Sequence, residues 1–382
     1  MNRLKGIVYD CIGWLAAKGP RQKAAVKKLL IVRVDEIGDF MLWHMFIEDI
    51  ATSAPFKGYE IHFCGNQSTK SLFHTFDAQF VKQTHWIDKT RFKKEMLYRF
   101  TFLRNIYRQG FEVVINPTFS RDKRYDDAIV KAAAGAETIG MRANLETVAE
   151  YEQGYDRDLY TRLFDHPEKP VFEFYRNKLF TEFLVQGKLG RIGTKIDRAL
   201  LPASPIQKPT QFFVVFPGSR SAKRIWPTEN FVLVSNYLFE TTGATAVVCG
   251  TGNDAPYIDS FCRQYRNKTV NLMGKTSLPE MVALFSEAQC LLSVDTGSVH
   301  LAAAAGCPVF GIFNGSQYKR FAPYPKEVAE NFYAIYPDAV EAELKNSAVA
   351  KEKYEFVVDV PYASVPAEKV ILAIDEWMNP SR

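Results

Sequence analysis

No stretch of this chain approaches the ~18–20 consecutive apolar residues that a helix needs to cross a bilayer. Its six cysteines (Cys11, Cys64, Cys249, Cys262, Cys290, Cys307) never form a C-x-x-C pair. That removes the common zinc and dithiol spacings and leaves them as small core residues of a reducing compartment. The G-x-x-x-x-G-K phosphate loop is absent, and Gly250-Thr-Gly-Asn-Asp254 holds only two of the three glycines of the dinucleotide fingerprint. The body of the chain also lacks net positive charge. Of the net +5, residues 1–28 carry +6 and the remainder −1, so no nucleic-acid binder is expected. With 47% hydrophobic and 24% charged residues, neither disorder nor a membrane bundle fits. At 382 residues the chain exceeds the size of a single core, and two domains are expected.

What is present is a series of apolar runs, each followed by a polar turn. Cys290–Val294 is the continuous apolar run of a strand buried on both faces. Asp295-Thr-Gly297 breaks it, Ser298–Ala305 reads as an Ala-rich helix closing at Gly306, and Pro308–Phe313 is a second buried strand. This is half of a doubly wound α/β sheet, where ligands lie outside the carboxyl ends of the strands. Gly297 lets a ligand approach the backbone closely, and the helix beyond it offers free N–H groups at its positive dipole end. Asp295, Thr296 and Gly297 therefore suit a phosphate or diphosphate. His300, one turn further on, is expected to point back to the same mouth. Taken singly, a plain helix cap and a packed histidine explain these residues; taken in this order they favour a ligand.

Residues 1–28 place Leu4, Ile7, Val8, Cys11, Ile12 and Leu15 at helical spacing with Trp14 beside them, followed by a Lys/Arg cluster through Lys28. Asp10 interrupts the apolar core a secretory signal would need, and Gly19-Pro20 is a poor cleavage site. A helix packed on the body and a membrane-surface helix both fit the pattern. Lys28–Val34 is the first buried strand, Asp35–Asp39 the turn that ends it, and Phe40–Ile50 the helix that follows. Gly38 before Asp39 can present that carboxylate into a cleft, or Asp39 can cap the helix beginning at Phe40.

Tyr59–Cys64, Thr84–Ile87 and Phe111–Asn116 read as strands, and Thr69–Phe76 and Thr90–Gln109 as helices. The exit of the last strand holds Arg121, Lys123 and Arg124, placed either for an acidic acceptor or as a solvated charge run. Asp156-Arg-Asp158 formally matches a D-x-D metal pair, but it follows no convincing buried strand and is read as surface. Pro202, Pro205 and Pro209 stiffen a linker. Phe212–Phe216 then opens the second domain, and Pro217–Pro227 after it carries Ser219, Arg220, Lys223 and Arg224, donors suited to anionic oxygens. Thr245–Cys249 is the next strand.

DTGSVHLAAAAGCPVFGIF, from Asp295 to Phe313, resembles the nucleotide-sugar signature of glycosyltransferase family 9, the bacterial lipopolysaccharide heptosyltransferases and their relatives. Further similarity lies in Leu29–Ala51, Glu112–Met141 and Phe212–Tyr324. The resemblance implies a GT-B fold of two doubly wound Rossmann-like domains facing across a cleft. Residues 29–190 would bind acceptor and 211–362 the nucleotide sugar, with 1–28 an extension, 191–210 a linker and 363–382 a helix crossing back to the first domain.

By the same resemblance, Asp39 is the catalytic base. Ser219, Lys223 and the amides at Thr296–Gly297 neutralise the diphosphate, Asp295 holds sugar hydroxyls, Asp254 holds the ribose, and Thr276 borders the base. Arg121, Lys123 and Arg124 would hold the acceptor. Phe216, Ile225 and Asn314-Gly-Ser316 depart from the family pattern. The implied function is inverting, metal-independent transfer of a heptose from a nucleoside-diphosphate sugar, ADP first, to a lipopolysaccharide-core glycolipid, without cofactor, in the cytoplasm or peripheral on the inner membrane. A GT-B epimerase or hydrolase, or a non-catalytic sugar-nucleotide binder, is the alternative.

Overall fold

The computed structural model describes residues 3–22, 26–142, 158–165, 167, 171–203 and 208–380. The chain divides into two compact units, one of Met1–Glu168 with Tyr175–Gly190 and the other of Lys169–Phe174 with Arg191–Arg382. In the first unit, β1 (Lys28–Arg33), β2 (Glu60–Asn66), β3 (Gln83–Ile87), β4 (Val113–Asn116), β5 (Glu137–Met141) and β6 (Arg162–Phe164) form one sheet in the order β3-β2-β1-β4-β5-β6. In the second, β7 (Phe212–Phe216), β8 (Thr245–Val248), β9 (Thr269–Asn271), β10 (Leu291–Val294), β11 (Val309–Ile312) and β12 (Phe332–Ile335) lie in the order β12-β11-β10-β7-β8-β9. Every pairing is parallel. The α/β class with two doubly wound parallel sheets implied by the sequence is the observed one.

The apolar runs become central strands because helices cover both faces of a parallel sheet. Leu29–Val32 and Phe212–Val215 are buried throughout. Three elements differ from expectation. The helix expected over Phe40–Ile50 is two, Ile37–Met41 and Phe46–Thr52. Between them the Asn177 side-chain amide donates to the Leu42 carbonyl at 3.0 Å, and Leu42 and Trp43 are buried. The long helix over Thr90–Gln109 divides at Glu95, where the backbone is extended. The C-terminal helix, Ala367–Met378, read as crossing back to the first domain, is part of the second unit: Val370 and Ile374 pack into the core around β7, β10 and β11. Of the D-x-D pair, Asp156 lies outside the described residues and Asp158 is exposed.

A polar cluster is sealed within the first unit at the carboxyl end of β4. Asn116 Nδ2 donates to Tyr160 Oη at 2.8 Å and to Asp126 Oδ2 at 3.1 Å, and the Tyr160 hydroxyl donates to Asp127 Oδ1 at 2.6 Å. Arg121 Nη1 pairs with Asp127 Oδ1 at 3.2 Å, and its guanidinium lies 4.5 Å from the Tyr160 ring centroid. Arg121 is completely buried. It was expected to meet an acidic acceptor, but its charge is engaged inside the fold, where a desolvated Asp127 would be costly without it. Arg124 pairs with Asp122, and Lys123 is half-buried.

Burial, and then the charge of Asp127, push the Asp126 carboxyl up to about 8. An unfolded aspartate titrates near ~3.9, so the folded state binds the extra proton and stability declines as pH rises between these values, levelling above about 8. Asp126→Asn cannot titrate. The wild-type-minus-variant difference in unfolding free energy, measured by urea denaturation, is expected to fall from about pH 4 to about pH 8; a pH-independent difference refutes this reading.

Candidate functional site

Winding reverses between β7 and β10 in the second sheet: β8 and β9 lie to one side, β11 and β12 to the other. The chain segments leaving adjacent strands diverge at such a point and open a crevice. Here they are Pro217–Pro227 after β7 and Asp295–Gly297 after β10. Ser293 Oγ donates to the Phe216 carbonyl at 3.3 Å and links the two strand ends. It also bonds Ser298 Oγ at 2.8 Å, which bonds Thr296 Oγ1 at 2.7 Å, so three hydroxyls run along the turn. The helix beyond, Gly297–Ala305, is buried from Ser298 onward and has Thr296 as N-cap with no side-chain cap bond.

Arg224 brings a cation to this crevice. Its Nη1 lies 3.3 Å from Asp295 Oδ2 and donates to the Asp295 carbonyl at 3.2 Å. The Tyr362 hydroxyl donates to the same carboxylate oxygen at 3.4 Å. Burial raises the Asp295 carboxyl above its ordinary value, while Arg224 and the Tyr362 bond pull it down. The arrangement holds a carboxylate, a guanidinium, hydroxyls and helix N–H groups at one turn, suited to sugar hydroxyls and anionic oxygens.

Several expected residues take different roles. Lys223 is exposed and pairs at 2.9 Å with Asp359, itself exposed; its neighbour Arg224 turns inward from the Ala222–Arg224 3₁₀ turn. Asp254 does not extend toward a ribose. Its Oδ2 accepts from the Thr251 amide at 2.7 Å and hydroxyl at 2.8 Å, forming a capping box that buries the carboxylate. It packs so tightly on Gly218 that a Cβ there would stand 2.2 Å from its Oδ1. His300 is buried, its Nδ1 2.7 Å from the Tyr324 hydroxyl. Burial and then the charge of Arg224 lower it to about 4, so the ring is neutral near pH 7. Ser219 is half-buried, and its Oγ accepts from the Ser221 amide at 3.3 Å. Thr276 is half-buried immediately before Ser277, the N-cap of the Leu278–Phe285 helix.

The sequence reading missed the segment that borders this crevice from the far end of the chain. Asn314 Nδ2 donates to the carbonyls of Val358 at 3.2 Å and Val360 at 3.0 Å. Ser316 Oγ accepts from the Val358 amide at 3.0 Å. Gly315 between them has φ +93°, and a Cβ would meet the Tyr354 ring at 2.6 Å, so the departure from the family pattern at Asn314-Gly-Ser316 builds a clamp. The clamped strap carries Asp359, which holds Lys223, and leads to Tyr362 on Asp295. Tyr362 has no local motif that would have signalled it.

The first unit has its own reversal, between β1 and β4. Asp39 lies there, half-exposed, as the third residue of the Ile37–Met41 helix; Glu36, not Asp39, is the N-cap. Arg33 at the end of β1 holds the turn. Its buried guanidinium places Nε 2.8 Å from Asp35 Oδ2, donates Nη1 to the Pro117 carbonyl at 2.7 Å, and donates Nη2 to the Asp39 carbonyl at 3.2 Å. Among the described residues, no group of three or more His, Cys, Asp or Glu could hold a metal ion.

Residues 163–348 match the family model described as glycosyltransferase family 9 (heptosyltransferase). Lipopolysaccharide heptosyltransferase 3 of Escherichia coli (strain K12) is 26% identical over 170 residues, 44% of this chain and 46% of that protein, so the match spans about half of the relative's length. Among solved structures, the glycosyl transferase family 9 protein of Veillonella parvula superposes with TM-score 0.68 at 18% identity, covering 94% of this chain and 99% of that one. The E. coli heptosyltransferase WaaC with ADP gives 0.63 at 16% identity, covering 91% and 99%. The chain is thus similar in sequence to glycosyltransferase family 9 (heptosyltransferase) over residues 163–348 and shares the fold of these structures along nearly all of its length.

Proposed function

We propose that this protein transfers a heptose from a nucleoside-diphosphate sugar, ADP-heptose first, to a lipopolysaccharide-core glycolipid, inverting the anomeric centre in one displacement. The observation that carries the reading is the convergence of Arg224, Asp295, Tyr362 and the Thr296–Ser298 hydroxyls at the reversal point of the second sheet. A relative with the same fold was solved with ADP. In this reading Asp39 accepts the proton of the acceptor hydroxyl, whose oxygen bonds the anomeric carbon as the bond to the diphosphate oxygen breaks. Arg224 and the N–H groups at Thr296–Gly297 take up the charge that develops on the leaving diphosphate. These cations and dipoles come from the chain itself, and no metal is part of the proposed step. The neutral His300 supports the turn from behind through Tyr324. Lys123 and Arg124 remain the proposed acceptor contacts; a glycolipid acceptor would put the enzyme to work at the inner face of the cytoplasmic membrane.

The two basic neighbours separate the donor assignment. Arg224→Ala removes charge-assisted hydrogen bonds and is expected to weaken ADP binding by about ten- to a hundredfold. Lys223→Ala touches only an exposed pair and is expected to change it by about twofold or less. Isothermal titration with ADP, checked by the melting temperature of each variant, reads both; the opposite ranking would return the diphosphate to Lys223.

Asp39→Asn tests the chemistry. Asp39 is not the N-cap, and removing its charge from the first turn of a helix costs about 0.3–1 kcal/mol of stability. Turnover of ADP-heptose with acceptor is expected to fall about 10²–10⁴-fold while ADP affinity holds. Transfer at near wild-type rate would remove Asp39 as base, and retained ADP binding without transfer in the wild type would favour a non-catalytic binder.

A further inference from the structure

The N-terminal helix Arg3–Ala16 docks on the first unit through the face opposite to the one its pattern suggests. Tyr9 and Ala16 are the buried residues, with Gly13 half-buried between them, and they pack against the Met96–Arg108 and Asp126–Ala133 helices. The Tyr9 hydroxyl donates to the Lys93 carbonyl at 2.6 Å, and the Arg99 guanidinium covers its ring at 4.3 Å. At its C-terminal end Arg104 donates to the Ala16 and Lys18 carbonyls, and the Tyr107 hydroxyl donates to the Gly19 carbonyl at 3.0 Å. The helix is therefore held at its middle and at its C-terminal end, which sets its outward face.

That outward face is the apolar one. Ile7, Trp14 and Leu15 are 59%, 61% and 51% exposed, and Cys11 is exposed on the same stripe. A helix that merely packed on the body would turn these residues inward and show its small ones. The stripe continues into a groove lined by Leu15, Lys18, Phe100, Arg104 and Arg108. Leu97, 76% exposed, lies one turn before Phe100 on the neighbouring helix. Lys18, over the Trp14 ring at 4.1 Å, and Arg108 sit at its border. No helix of the described residues is long and apolar enough to cross a membrane.

We propose that this composite face, Ile7, Trp14 and Leu15 with Phe100, Lys18 and Arg108, lies in the headgroup layer of an anionic phospholipid bilayer. Charge selects the occupant. The groove is lined by the cations Lys18, Arg104 and Arg108 with no carboxylate among its lining residues, which attracts anionic headgroups. A second copy meeting this face about a two-fold axis would set like charge against like. The proposal goes beyond the transfer reaction and does not rest on it, because the test uses no acceptor sugar.

Flotation of the full chain with phosphatidylethanolamine/phosphatidylglycerol vesicles and with phosphatidylcholine vesicles measures it. The wild type is expected to prefer the anionic vesicles by about tenfold or more, with the preference reduced by added salt. Ile7→Ser/Trp14→Ser/Leu15→Ser is expected to keep its melting temperature and lose about tenfold or more of that binding. Lys18→Glu/Arg108→Glu is expected to lose the anionic preference. Equal binding by wild type and the triple variant, or no preference for anionic vesicles, overturns the proposal. So does a wild type that sediments as a dimer without lipid and becomes monomeric in the triple variant, since a second copy would then cover the face.

Discussion

The reversal of strand order in each sheet is the constraint on which the chemistry of this protein depends. Parallel strands need crossover connections, and those connections run to one side or the other of the first strand laid down. Where the direction changes, two neighbouring strands send their exits apart and nothing in the layer fills the gap. β7 and β10 are that pair in the second unit, β1 and β4 in the first. The polar residues singled out by the sequence fall largely at these four strand ends.

The two reversal points are organised differently. In the second unit a guanidinium stands at the surface of the turn: Arg224 touches the backbone and carboxylate of Asp295 and adds to the burial that disfavours protonation of His300. In the first, the guanidinium of Arg33 is inside. It joins the exit of β4 to the Asp35–Asp39 turn, where it has carbonyls and a carboxylate as partners. A partly exposed cation can exchange a carboxylate partner for a ligand's oxygens. A sealed one can only hold its backbone in place.

Strands that are unbroken apolar runs were plain in the sequence; β7 has the bounds read for it, and β10 and β11 nearly so. β5 is buried, but Thr138 and Gly140 break its apolar run, and the edge strands β6, β9 and β12 are half-buried over part or all of their length, so the sequence gives no clear sign of these four. The Asp295 turn was legible as a strand end carrying Gly, Thr and Asp. Choosing between Lys223 and Arg224 was not, since a single residue in a 3₁₀ turn rotates the side chain to another side. Asp254 gave a usable sign that was passed over: Thr251 three residues ahead of it is the spacing of a capping box. For the N-terminal helix, periodicity located the apolar stripe correctly but could not tell which face the fold would cover.

The strap held by Asn314 also sets an order of assembly. β7, the Arg224 loop and the Asp295 turn are all synthesised before it, yet the carboxylate of Asp295 gains its hydroxyl partner only when Tyr362 arrives, and Trp226 gains the carbonyl of Val365 at 2.9 Å only after that. Until residues 358–365 dock on Asn314, the Asp295 carboxylate therefore lacks its hydroxyl partner and the Trp226 indole N–H its carbonyl.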